Sequence, residues 1–338
     1  MYSFVQKALF QLPTETSHHL ALEAMNAAYR CGLSGIIAPR VPAAPVELLG
    51  MTFPNPVGLA AGLDKNGDYI DSLAALGFGS IEIGTVTPRA QPGNAKPRLF
   101  RIPEKEVIIN RMGFNNKGVD YLVEQVKQAR FEGVLGINIG KNVDTAVEDA
   151  TQDYLICMRK VYAHASYITV NLSSPNTPGL RSLQHGDTFK FLLEALKLEQ
   201  AKLEIEHGKK VPLMIKIAPD LELEEVESIT KILIEYQIEA VIATNTTISR
   251  DSVQGLKHSE EAGGLSGAPL FDASTEVLKQ IKNVAGDRLK IIGVGGIFNE
   301  KNAAAKREAG ADLLQIYSGF IYKGPKLIRD SVIGFGSR

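Results

Sequence analysis

The chain is 338 residues long, 44% apolar and 22% charged, with a net charge of −1. Such a composition excludes disordered, collagen-like and low-complexity chains, and the balanced charge argues against nucleic acid as a partner. Cys31 and Cys157 are the only cysteines, too few for a disulfide scaffold, an all-cysteine zinc site or an iron–sulfur cluster, so a reducing compartment is expected.

Residues 1–40 differ from the rest. They carry five charged side chains: Lys7, Glu15, Glu23, Arg30 and Arg40. Met1, Phe4, Val5, Ala8 and Leu9 fall on one face of a predicted helix. Gln6 and Lys7 break the first apolar stretch and no small-residue cleavage site follows, so no secretion signal is read. No window of about 20 apolar residues predicts a membrane-spanning helix. Pro13 stops the first helix, and Thr14 or Thr16 is expected to cap a second, in which Leu22, Met25, Tyr29 and Leu33 share a face. Gly32, Gly35 and Pro39 end it, and Pro39, Pro42 and Pro45 read as a linker. The expectation is a two-helix module over residues 1–40 joined to one larger domain over 41–338.

From about residue 56 strands and helices alternate. Candidate strands are 57–63, 80–87, 135–141, 167–173, 213–218, 240–246, 290–297 and 313–318, short, apolar and often β-branched. Eight strands in alternation predict an α/β fold, a closed (β/α)8 TIM barrel with a parallel sheet. A doubly wound open sheet is the rival. Residues 88–116 predict a β-hairpin excursion over the barrel top, and residues 249–271, polar and glycine-rich, a second long loop. Long loops in a compact domain are usually functional.

In such a barrel the C-terminal strand ends face the active site. In chain order they read Ala61, Gly62, Leu63, Asp64, Lys65, Asn66; Gly84, Thr85; Asn138, Lys141, Asn142; Asn171, Ser173, Ser174, Pro175, Asn176; Lys216; Thr244, Asn245, Thr246, Thr247; Gly293 to Gly296; and Tyr317, Ser318, Gly319. All six histidines lie off these ends. No His–carboxylate cluster offers a catalytic metal site, and no histidine is placed to activate a serine. Amides present donor and acceptor together, which suits a flat heterocycle with alternating carbonyl and N–H groups. A redox cofactor would supply chemistry that these side chains lack.

Gly293 to Gly296, with Ser318 and Gly319, match the phosphate site built by the loops after strands 7 and 8 of such barrels; tight turns are the bland alternative. Lys216 lies inside an apolar run, where a lysine is costly unless paired or useful. It reads as a cation beside a flavin, or else as a partner of Asp220. Lys65 reads as a ligand for a carboxylate or for the flavin edge, or else as a solvated loop residue. Ser174 alone reads as a turn residue. A barrel that isomerises or cleaves a sugar phosphate would share the phosphate site but want a glutamate at a strand end. A peripheral membrane scaffold with a nucleotide-binding barrel would leave the polar ring unexplained.

The segments Gly58-Leu-Ala-Ala-Gly-Leu-Asp-Lys65, Ile109-Asn-Arg-Met-Gly-Phe-Asn115, Asn171-Leu-Ser-Ser-Pro-Asn-Thr-Pro-Gly-Leu-Arg181, Ile242-Ala-Thr-Asn-Thr-Thr247 and Ile291-Ile-Gly-Val-Gly-Gly-Ile297 resemble the class 2, quinone-dependent dihydroorotate dehydrogenases. The resemblance runs from residue 1 to about 330. It implies an FMN-bearing barrel that oxidises dihydroorotate to orotate in pyrimidine biosynthesis and passes electrons to a membrane quinone, ubiquinone or menaquinone. It makes Ser174 the catalytic base; class 1 relatives carry cysteine there. It assigns the substrate to Lys65, Asn110, Arg111, Met112, Gly113, Phe114, Asn171, Asn176, Asn245 and Thr246. It assigns FMN to Ala61, Gly62, Leu63, Asp64, Lys65, Thr85, Asn138, Asn171, Lys216, Thr244, Gly267, Gly296, Tyr317 and Ser318. With no cysteine relay, the module over residues 1–40 is the expected electron exit. Phe4, Val5 and Leu9 would bury very roughly 1.5 to 3 kcal/mol each in a bilayer surface. The expected protein is a monomer on the cytoplasmic side of the cell membrane, attached to the inner leaflet.

Overall fold

The computed structural model describes residues 2–336. Met1, expected on the first helix's apolar face, lies outside them. Helices α1 (Tyr2–Phe10), α2 (Thr14–Arg30) and the short α3 (Ser34–Ile37) form the N-terminal module. Pro13 precedes α2 and no side chain caps it, so the expected threonine cap is absent and Thr14 is the first helical residue. Pro13 fixes its own φ and leaves Thr14 to start the turn. Extended chain through the prolines follows, as read.

A hairpin then forms from β1 (Val46–Leu48) and β2 (Met51–Phe53), which the sequence reading missed. Leu48 and Phe53 pack on Val134, Tyr167, Met214, Ala240 and Leu313, near the starts of barrel strands, and so plug the N-terminal mouth. Three-residue strands are too short to show a period.

The remaining elements run β3 (Val57–Leu59), α4 (Ile70–Ala74), β4 (Ser80–Val86), β5 (Leu99–Ile102), β6 (Val107–Asn110), α5 (Val119–Gln128), β7 (Val134–Ile139), α6 (Ala150–Val161), β8 (Tyr167–Asn171), α7 (Gly186–His207), β9 (Leu213–Ile217), α8 (Leu223–Glu235), β10 (Ala240–Ala243), β11 (Gly264–Gly267), α9 (Phe271–Ala285), β12 (Lys290–Val294), α10 (Glu300–Glu308), β13 (Leu313–Ile316), α11 (Ser318–Lys323) and α12 (Lys326–Gly336). Eight of these strands close a parallel barrel in the order β3, β4, β7, β8, β9, β10, β12, β13 and back to β3. Closure is made by Leu314 pairing with Val57. The open-sheet alternative is thereby excluded. Barrel strands read as continuous apolar runs because helices cover one face and packed side chains the other.

The excursion forms the expected antiparallel hairpin β5–β6. The second excursion is not all loop: β11 joins β6 and completes a three-stranded sheet. Gly264-Leu-Ser-Gly267 has loop propensity, yet a Cβ on Gly264 would collide with the Thr246 side chain, so only glycine lets this strand lie against the strand-end loop.

The module docks on the barrel through one face. Tyr2 Oη donates to Ile321 O (2.6 Å) and Gln6 Nε2 to Tyr322 O (2.9 Å). Phe10 meets Tyr322 edge to face at 5.4 Å, with the Arg101 guanidinium 4.3 Å from its ring centre. Leu22 is buried with Met25 against the main core. Phe4 and Val5 are exposed, whereas Leu9 turns inward and is only half-buried.

Candidate active site

A cavity of about 150 Å³ opens at the C-terminal mouth of the barrel. Its wall brings together Ala61, Gly62, Lys65, Thr85, Asn110, Met112, Gly113, Phe114, Asn171, Ser174, Asn176, Lys216, Thr244, Asn245, Thr246, Gly267, Gly296, Tyr317 and Ser318. Each comes from a barrel strand end, from the β5–β6 excursion or from β11. These segments are distant in the chain and meet only because the strands share one direction.

The polar side chains restrain one another. Asn171 Nδ2 donates to Thr85 Oγ1 (3.0 Å), which donates to Asn138 Oδ1 (2.6 Å). Asn245 Nδ2 donates to Ser173 Oγ (3.0 Å), and Asn176 Nδ2 donates to Asn110 Oδ1 (3.1 Å). The Asn176 backbone N–H donates to Ser174 Oγ (3.2 Å), and Ser174 is buried. Amides fixed in this way hold their orientation before a ligand arrives.

Four residues expected at the site are not on the cavity wall. Arg111 Nη1 donates to Glu261 (2.6 Å), and its guanidinium lies 4.6 Å from the Phe100 ring centre. The arginine packs on the excursion because its long side chain satisfies both charge and stacking there. Leu63 lines a neighbouring cavity. Asp64 accepts from the backbone of Gly67 (2.8 Å), Asp68 (3.0 Å) and Tyr69 (2.8 Å), so it closes a turn. Burial pushes its pKa up to about 6 despite those bonds. Asn138 is fully buried behind Thr85, its Nδ2 donating to Glu82 Oε1 (2.8 Å).

Sequence reading missed Gln315 and Ser266 on the wall and Glu82 beneath it. Gln315 and Glu82 carried the same signal as Lys216, a lone polar residue in an apolar strand. Glu82 accepts from Asn138, Tyr167, Thr169 and Gln315, so it is a sequestered barrel-core carboxylate, not a free base at a strand end.

Two lysines reach the cavity. Burial lowers the Lys216 pKa, with Glu82 opposing, and no hydrogen bond or ion pair engages its amine among the described residues. Burial also lowers Lys65 to about 8, helped by Arg98 and opposed by Glu15 and Asp64. At the far side, Gly296 has φ +71° and a Cβ there would strike the Phe271 backbone. The loop therefore lies flat against helix α9 and can turn its N–H groups toward an anion.

A second cavity of about 590 Å³ lies between the module and the barrel, lined mostly by apolar groups such as Val5, Leu9, Ala21, Met25, Ile36 and Phe320. Tyr2, Gln6, His18 and Arg101 are its main polar groups. Burial, then Lys65 and His19, push His18 down to about 3, against Glu15, so its imidazole is neutral. Tyr317 lines both cavities.

Barrel, phosphate-ready loops and an amide-lined mouth beside an apolar chamber define a (β/α)8 barrel suited to a flat, phosphorylated heterocycle. The family model for dihydroorotate dehydrogenase matches residues 43–333. The dihydroorotate dehydrogenase (quinone) of Ectopseudomonas mendocina is 60% identical over 98% of both chains. That of Cellvibrio japonicus is 59% identical over all of this chain and 98% of its own. The crystal structure of the Eimeria tenella DHODH in complex with ferulenol is 35% identical, with a TM-score of 0.87 over 95% of this chain and 89% of that one. The chain belongs to the dihydroorotate dehydrogenase family.

That family uses FMN, and the pocket fits it. Among the described residues, the buried Lys216 amine has no partner and the buried Gln315 Oε1 accepts from no donor, and two glycine-lined loops can cradle a phosphate.

Proposed function

We propose that this pocket oxidises (S)-dihydroorotate to orotate, the redox step of pyrimidine biosynthesis, and that the electrons leave to a membrane quinone lodged in the second cavity. FMN, held by Lys216, Gly267, Gly296 and Ser318, would supply the hydride acceptor for substrate C6 and the electron carrier to the quinone. Ser174 Oγ takes the C5 proton as its own hydroxyl proton passes to water. The Asn176 N–H donated to that oxygen fixes its orientation and eases loss of the hydroxyl's own proton. Asn110, Asn171, Asn176, Asn245 and Thr246 read the pyrimidine amides, and Lys65 takes the substrate carboxylate. Lys216, on the cavity wall, would stabilise the negative charge that a bound flavin gains on reduction. Gly267, Gly296 and Ser318 hold the phosphate. Met112, Gly113 and Phe114 line the mouth on the excursion side.

The observation that carries this reading is Tyr317, a common wall between an amide-lined mouth and an apolar chamber. Tyr2, Gln6, His18 and Arg101 offer partners for quinone carbonyls, and the apolar lining accommodates an isoprenoid tail. Ubiquinone and menaquinone both fit that chemistry. Phe4, Val5, Leu20, Leu33, Ile36 and Ile37 are exposed on the module, which supports attachment to a membrane surface, which we take to be the inner leaflet on the cytoplasmic side. No described helix is long and apolar enough to cross a membrane. The protein acts as a monomer, each chain carrying both cavities whole. Anaerobic titration with dihydroorotate should bleach the flavin, and added long-chain quinone should restore its colour. Flavin that stays oxidised, or that recovers only with oxygen, refutes the reading.

A further inference from the structure

Lys306 of α10 is fully buried, and no carboxylate among the described residues lies within ion-pair distance of it. Its ammonium donates to Ser274 Oγ (2.6 Å) and stands 5.3 Å from the Phe271 ring centre. Ser274 Oγ in turn lies 3.2 Å from Gly295 O and 3.1 Å from Phe271 O, sharing its one hydrogen between them. A buried lysine is costly to keep without a counter-charge. Here burial lowers its pKa to about 7, with Asp272 opposing. The amine thus sits on the edge of being charged, and a nearby anion decides which form prevails.

The geometry points to where that anion belongs. The Gly295 carbonyl and the Gly296 N–H are two ends of one peptide unit. Gly295 and Gly296 line the cavity, while Ser274 and Lys306 do not. Hydrogen bonding at the carbonyl polarises the peptide and strengthens the N–H as a donor. Lys306 is therefore one hydroxyl and one peptide away from the loop that faces the phosphate.

We propose that Lys306 is a positioning residue for the FMN phosphate: it acts through Ser274 and the Gly295–Gly296 peptide, and the phosphate is its distant counter-ion. It makes the pocket prefer a phosphorylated flavin over riboflavin without touching either. This rests on the reading that places the phosphate at Gly296.

The test compares FMN and riboflavin binding to the full chain, followed by flavin fluorescence, in the wild type and in Lys306→Met. Wild type should bind FMN far more tightly. Lys306→Met should weaken FMN roughly 5- to 10-fold, the effect of about 1 kcal/mol from a charge acting at a distance, and riboflavin less than about twofold. Equal weakening of both flavins, or none, overturns the proposal. A wild type that fails to discriminate the two flavins refutes the phosphate placement itself, and the proposal with it. Should Lys306→Met not fold, Ser274→Ala decides: it keeps the lysine but cuts the link. Reduced discrimination then supports the proposal and full discrimination overturns it.

Discussion

Arg98 holds Glu15 with two hydrogen bonds, Nη2 to Oε1 at 2.8 Å and Nε to Oε2 at 3.3 Å, and both side chains are largely buried. The same guanidinium donates through Nη1 to the carbonyls of Pro92 (2.6 Å) and Asn94 (2.9 Å). Asn94 Nδ2 donates to Arg111 O (2.9 Å) and its backbone N–H to Met112 O (3.1 Å). One arginine thus ties helix α2 of the module to the strap over the substrate mouth.

Breaking that tie should loosen the module. Burial alone would raise the Glu15 pKa, but hydrogen bonding and charge from Arg98, then Lys96, hold it below the usual carboxylate range. A depressed carboxyl contributes stability at pH values above its unfolded pKa, and that contribution is lost as pH falls through the folded value. Glu15→Gln leaves a largely buried guanidinium without its counter-charge, at a cost of about 1.5–3 kcal/mol, because the Pro92 and Asn94 carbonyls still hold it. Proteolysis of α1 and α2 should accelerate at neutral pH, and the acid-induced acceleration seen in the wild type should disappear. An unchanged proteolysis profile would show that the pair contributes nothing to docking.

Lys65 should give the substrate reaction an alkaline limb. Its amine is charged below about 8, so an anionic substrate loses its counter-charge as pH rises through that value. The profile of kcat/KM for dihydroorotate reports the free enzyme, and it should fall above about pH 8. Lys65→Met should flatten that limb and lower kcat/KM roughly 10- to 100-fold at pH 7. Because Glu15 raises the Lys65 pKa, Glu15→Gln should move the limb to lower pH.

Ser174→Ala should keep the flavin and lose flavin reduction by a factor on the order of 10² to 10⁴, the usual worth of a positioned base. Rapid-mixing absorbance without oxygen measures it directly. Near-normal reduction would remove Ser174 from the base role.

Much of this was legible in the sequence because its signal is local. The eight barrel strands are apolar runs, though the first spans only Val57–Leu59 where 57–63 is expected, and many wall residues sit at their ends. What stayed hidden depends on tertiary partners. Gly264–Gly267 is a strand only because β6 lies beside it. Arg111 sits in a site motif, yet its side chain finds Glu261, a residue 150 positions away. Asp64 belongs to the same motif as Lys65 but closes a turn. Motif membership fixes the backbone neighbourhood, and the contacts of each side chain then decide which way it points. Leu9 shows the same for the module: its helical face was readable, but not that this face splits between cavity and solvent.

Filling the second cavity should separate the two half-reactions. Ala21 lines it, and Ala21→Trp would occupy part of its 590 Å³. Flavin reduction by dihydroorotate should stay within about twofold, while KM for long-chain quinone rises roughly tenfold or more, the effect of about 1.4 kcal/mol of lost binding. Unaltered quinone kinetics would place the acceptor elsewhere.

Phe53 offers a control at the opposite mouth. It is 1% exposed and closes the barrel bottom with Leu48 over Tyr167 and Met214. Phe53→Ala removes a large buried ring whose neighbours are rigid strand starts, so the gap cannot collapse. The cost should be about 3–5 kcal/mol, read as a lowered midpoint of thermal unfolding. Flavin affinity and kcat/KM should hold, because the catalytic loops leave from the other end of the strands. A loss of activity at temperatures where the variant stays folded would mean that the plug shapes the site through the barrel interior, where Tyr167 and Gln315 both donate to Glu82.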